Sequence, residues 1–137
     1  MVDQIEKLNN KVDFLIFLTK EIHKEMNLNF DFNTFVLKNN LSSTDIVLIV
    51  KALTIMNYRR FNTLDKHISE FKNDRRFESI LSEKNPTFNE FNTFLKSMNL
   101  EVDAEILLKN LQKQKIGENI CVFLLEDKSN NWYNKLI

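Results

Sequence analysis

A chain of 137 residues with 43% hydrophobic side chains is long enough to bury one core and too short for two ordinary domains. Its 19 Lys plus Arg balance 19 Asp plus Glu, so no net field draws it to a polyanion or an anionic bilayer, and nucleic acid is disfavoured as a partner. One glycine and one proline leave little material for the tight turns of sheets, and helix is the expected class.

Asparagine also occurs 19 times, which with abundant Lys, Ile and Phe is the bias of an AT-rich coding sequence. The single cysteine, Cys121, cannot form an internal disulfide, so nothing asks for an oxidising compartment. The first residues, Met-Val-Asp-Gln-Ile-Glu, are acidic where a signal peptide is basic. No apolar run approaches the ~20 residues that span a bilayer. The longest, Ile46 to Met56, is interrupted by Lys51 and Thr54. A cytoplasmic protein without membrane contact is expected.

In chain order, Ile5, Leu8, Val12, Leu15, Thr19, Ile22 and Met26 recur at alternating spacings of three and four. This is a heptad seam with one polar position, and it predicts a long amphipathic helix suited to self-association. Ile16 and Leu18 widen the seam at the e and g positions, which favours more than two strands. Phe14 and Phe17 put apolar groups on the remaining faces, so the middle of this helix should be surrounded. Between Asn27 and Asn40, Phe30, Phe32, Phe35, Val36 and Leu37 predict about two turns of helix capped by Asp31 and stopped at Asn39-Asn40.

Ser42 and Asp45 form a capping box that opens a helix from Ile46 through Met56, apolar on nearly every face. Phe61, Leu64, Ile68 and Phe71 then predict a helix with one buried stripe, followed by another turn at Phe77, Ile80 and Leu81. Asn85-Pro86 ends that stretch, because the residue before proline is pushed out of the helical region, and it is a candidate subdomain boundary within a single domain spanning 1–137.

A second capping box, Thr87 with Glu90, starts a helix with Phe88, Phe91, Phe94, Leu95 and Met98 inward and Asn99 at its end. Asp103 caps a helix carrying Ile106, Leu107, Leu108 and Leu111, with Gly117 as its left-handed terminator. A last helix runs through Ile120, Val122, Phe123, Leu124 and Leu125, and the tail at Ser129-Asn130-Asn131 is expected to fray. The sum is an all-α bundle of five to seven helices.

The order of a heptad-like Ile5-Glu6-Lys7-Leu8 helix, an aromatic cluster, Leu41-Ser42 opening a long apolar helix, then Thr87-Phe88 and two short helices resembles the YhaI family of small uncharacterised helical proteins from Bacillus-type bacteria. The likeness runs from Ile5 to about Leu125, and this chain departs from it by extra residues around Asn57 to Glu83. It implies a multihelical, oligomeric fold and carries over no catalytic residues.

Chemistry leaves few traces. His23 and His67 lack a third converging ligand, and no Glu-x-x-His element is present. Cys121 has apolar neighbours and no evident base, which reads as a buried small hydrophobe. A lone glycine excludes phosphate-cradling and dinucleotide loops. No metal, cofactor or catalytic residue is expected.

All four arginines fall between residues 59 and 76. Arg59, Arg60, Arg75 and Arg76, with Tyr58, could form a partner-binding patch, but Asp65, Glu70 and Asp74 interleave with them, so an ordinary solvated face stands beside that reading. A helix-turn-helix built on the helices after Thr87 and Asp103 is disfavoured by Asp103 and Glu105 at the end that would meet DNA.

A helix that is apolar all round must be covered on all sides, and this chain has two such stretches with few amphipathic helices to wrap them. The expectation is therefore a non-enzymatic interaction or regulatory protein that forms a homo-oligomer and binds a further protein, one form being a phage-type inhibitor of a host protein. The alternatives are a monomeric bundle with the first helix at its centre, a nucleic-acid-binding regulator that uses the arginine pairs, and a minimal enzyme, which would need a polar pocket that the sequence does not reveal.

Overall fold

The computed structural model describes residues 2–26 and 31–136, with side chains described for 3–22, 24 and 32–130. Seven α-helices occur among the described residues: α1 (Val2–Met26), α2 (Asp31–Lys38), α3 (Ser43–Arg60), α4 (Leu64–His67), α5 (Phe88–Ser97), α6 (Ala104–Lys113) and α7 (Glu118–Leu136). Two 3-10 segments, Ile68–Glu70 and Arg75–Ile80, lie between α4 and α5. No strand occurs among these residues. Phe30, Met26, His23 and the Asp31 side chain, all invoked above, lie outside the described side chains.

The core is built around α3, whose Leu48, Ile49, Ala52, Leu53, Ile55 and Met56 are buried. Ser42 caps it as expected: its hydroxyl accepts from Asp45 N at 3.1 Å, and the Asp45 carboxylate accepts from Ser42 N at 2.9 Å. Helices α5, α6 and α7 add Phe91, Phe94, Leu95, Leu107, Leu108, Leu111, Ile120, Cys121 and Leu124 to the same core. Ile106 on α6 is half exposed. Residues on both sides of Asn85-Pro86 share this core, with the Phe77 ring stacked on Phe94 at 5.7 Å between centroids.

The amphipathic helix expected from Phe61 to Phe71 forms only in part, as α4 running into the 3-10 segment Ile68–Glu70. The α3 helix runs on to Arg60, and Asn62 then adopts φ +57°, a left-handed conformation that no continuing helix accepts. Leu64 and Phe71 are buried, whereas Phe61 and Ile68 are exposed. The local period was helical; the chain serves the core with single turns instead.

Left-handed residues follow α2, α5 and α6 too. Asn40 (φ +53°) follows α2, and Asn99 (φ +59°) follows α5, where Leu100 N donates to Leu95 O and Asn99 N to Lys96 O in a Schellman closure. Lys115 (φ +61°), not Gly117, plays this part after α6, with Ile116 N donating to Leu111 O. Gly117 (φ +57°) stands at the start of α7, its carbonyl accepting from Cys121 N. The tail expected to fray is helical through Leu136.

Two helix starts are satisfied from far along the chain. The Gln114 side-chain carbonyl accepts from Phe32 N at 2.8 Å and its amide donates to Asn33 Oδ1 at 3.1 Å, so the end of α6 caps α2. The Asp127 carboxylate on α7 accepts from Phe88 N at 2.9 Å at the start of α5.

A Cβ at residue 117 would meet Ile120 at only ordinary contact distance, so Gly117→Ala pays for its backbone alone. We expect a loss of ~1 kcal/mol in urea unfolding, whereas Asn99→Gly, at an equally left-handed position, should be neutral or stabilising by a few tenths.

Candidate functional site

Helix α1 is 25 residues long, about 37 Å at 1.5 Å per residue. The element it rests on is α2, and Ile16 is its one buried large side chain among those described. Val12 and Thr19 are half-buried, and the Thr19 hydroxyl donates back to Leu15 O at 2.8 Å. Ile5, Leu8, Phe14, Leu15, Phe17, Leu18 and Ile22 are between 38% and 61% exposed. They are seven of the thirteen exposed large hydrophobics among the described residues.

The two apolar helices thus have different fates. Helix α3 is enclosed, with Val47 and Val50 on its rim exposed, while α1 carries its apolar side chains into solvent. The seam residues Ile5, Leu8, Val12, Leu15, Thr19 and Ile22 share one side of α1; Met26 lies outside the described side chains. Leu18 was legible as a widening of the seam, but for Phe14 and Phe17 periodicity gave no sign that they belong to an open surface.

The arginine region does not gather into one patch. Arg59 is 1% exposed, and its guanidinium makes a bidentate pair with Glu90: Nη1 to Oε2 at 2.7 Å and Nη2 to Oε1 at 3.0 Å. It also donates to the carbonyls of Ile80 (3.2 Å), Lys84 (3.0 Å) and Asn85 (3.4 Å). Arg59 is therefore removed from the expected partner surface, because burial of a guanidinium demands this internal pairing. The same pairing alters the second capping box: Thr87 Oγ1 accepts from Glu90 N at 3.1 Å, but the Glu90 carboxylate turns to Arg59.

Arg60 is half-buried, with its guanidinium 4.9 Å from the Phe61 ring and 5.1 Å from the Phe123 ring, and its Nη1 buried without a hydrogen-bond partner. Arg76 is exposed but closed onto Asp74 at 2.7 Å, and that guanidinium holds the Asp74 carboxyl down at about 2. Arg75 is exposed. Tyr58 stacks on His67 at 3.9 Å, and His67 Nδ1 lies 3.6 Å from Glu70. These residues stabilise the segment between α3 and α5 more than they present a face.

No group of three or more His, Cys, Asp or Glu that could hold a metal gathers among the described residues. Cys121 is buried, its thiol 3.8 Å from Ile116 O, and burial pushes its pKa up to about 12, away from nucleophilic use. A cleft of about 510 Å³ opens between α3 and the turn from α6 to α7, bounded by Leu53, Asn57, Tyr58, Ile116 and Ile120. The ionisable groups in its lining are Tyr58, Lys115 and Glu118, and the His67 ring stacks on Tyr58 without lining the cleft itself. No described helix is long and apolar enough to cross a membrane.

No family model matches the chain, and neither curated proteins nor solved structures show a match.

Removing the buried Arg59 guanidinium strands the acceptors gathered around it, the part-exposed Glu90 carboxylate and three backbone carbonyls. Arg59→Met should cost ~3 kcal/mol by urea unfolding, against less than ~0.5 kcal/mol for Arg75→Ala. The Asp74 pKa is depressed in the fold, so the stability it adds is present above its unfolded pKa of ~3.9 and lost as pH falls toward about 2. A carboxyl-carbon NMR titration should place its midpoint at about 2, and Arg76→Ala should return it to the usual range.

Proposed function

We propose that the chain is a non-enzymatic interaction or regulatory protein of the cytoplasm that works as a homo-oligomer, with α1 as its association surface. The exposure of seven large apolar side chains along one helix carries this reading. At roughly half exposure the five aliphatic and two aromatic side chains leave on the order of 400 Å² of apolar surface open along the helix. That reaches the ~300–600 Å² of the largest apolar patch on a typical monomer, a size that often marks a functional surface.

The heptad spacing favours a helical partner, and a second copy of α1 supplies the same spacing. The resemblance to the YhaI family and its oligomeric habit belongs to the same reading. Once α1 is covered by its own kind, a further protein would be met by the remaining surface, and a phage-type inhibitor of a host protein is one form this takes. The nucleic-acid alternative gains nothing from the arginines, two of whose four guanidinia are turned inward or sandwiched between rings.

Light scattering across a concentration series should return a mass that is a multiple of the chain mass. Leu8→Glu combined with Leu15→Glu should bring it to one chain while the core helices keep their circular dichroism. A wild-type chain that stays monomeric throughout the series sinks the reading.

A further inference from the structure

At ~100° per residue the described side chains of α1 sort into ridges of heptad spacing. Ile16 marks the side turned to the body of the chain, with half-buried Val12 and Thr19 next to it. The open face is consequently not centred on the full seam. It runs from the ridge Leu8, Leu15, Ile22, through Lys11 and Leu18, to a third ridge of Lys7, Phe14 and Glu21. One flank that the sequence offered to extra strands is taken by the chain's own fold, so a single added helix suffices to cover this face.

Charge on the face is unevenly placed. Lys7 and Lys11 lie in its N-terminal half and Glu21 in its C-terminal half, where Glu21 has only an exposed intrahelical partner, Lys24, at 3.7 Å. Asp3 stands at the N-terminal rim. A parallel, in-register copy would set Lys7 and Lys11 against themselves and Glu21 against itself. An antiparallel copy would set Lys7 against Glu21 at both ends and Phe14 against Leu15 at the centre, and would oppose the two helix dipoles favourably.

Resting on the proposed function above, we infer that α1 pairs antiparallel with α1 of a second copy of this chain, through Leu8, Leu15, Leu18, Ile22 and Phe14, about a two-fold axis near Phe14 and Leu15. A two-fold contact of this kind closes on itself and buries the same patch on both protomers. Phe17 points to the far side of α1 and takes no part.

Single cysteines in the full chain separate the arrangements, with wild type as the control for buried Cys121. With a short bis-maleimide, Leu15→Cys should cross-link to itself. Leu8→Cys alone and Ile22→Cys alone should not, being about 20 Å from their own copies. A mixture of the two should cross-link. In light scattering, Lys7→Glu should raise the dimer dissociation constant about 3-fold or more, and adding Glu21→Lys should restore it. Self-cross-linking of Leu8→Cys, or a multimeric mass with no α1 cross-link, overturns the antiparallel pairing alone. A monomeric mass overturns the proposed function with it.

Discussion

The middle of this fold hangs on one buried guanidinium. From the last turn of α3, Arg59 reaches the Glu90 carboxylate on α5 and the carbonyls of Ile80, Lys84 and Asn85. These carbonyls belong to a stretch that has no regular ladder to satisfy them, and a planar, five-donor group is suited to collecting several acceptors at once. By holding the approach to Pro86 against α3, the pair sets where α5 begins and lets Phe77 stack on Phe94. Its value lies less in net stability than in leaving few other ways to pack these segments.

Much of the architecture was legible because helices announce themselves locally. Ser42, Thr87 and Asp103 cap the helices they precede, and each accepts the expected backbone amide. What failed was long-range. Nothing in the spacing of Phe61, Leu64, Ile68 and Phe71 shows that Asn62 will turn left-handed, and steps of three and four residues are equally compatible with single turns. Gln114 and Asp127 reach helix starts 82 and 39 residues away, a kind of capping that no local rule contains. Arg59 looked like a surface residue because arginine usually is one; only its neighbours in space reveal it as internal.

The candidate surface was half legible. Counting two all-round apolar stretches led to the expectation that one would lack cover, and periodicity singled out α1. Which side of α1 stays open depends on Ile16 meeting the body of the chain, and the ordinary heptad reading, which treats a and d positions alike, does not show that. The d positions Leu8, Leu15 and Ile22 are exposed, while of the a positions Val12 and Thr19 are half-covered and Ile5, at the N-terminal end, is exposed.

A helix leaning on the rest of the chain by one stripe draws little of its order from the core. An isolated helix of this length is near the margin in water, so what fills its open face decides how much of the time it is wound. Under the proposed pairing, that occupancy follows chain concentration by mass action, whereas α3 and its neighbours share a core to which α1 contributes no residue among those described. On that reading the chain combines a body with its own core and an arm whose order follows abundance.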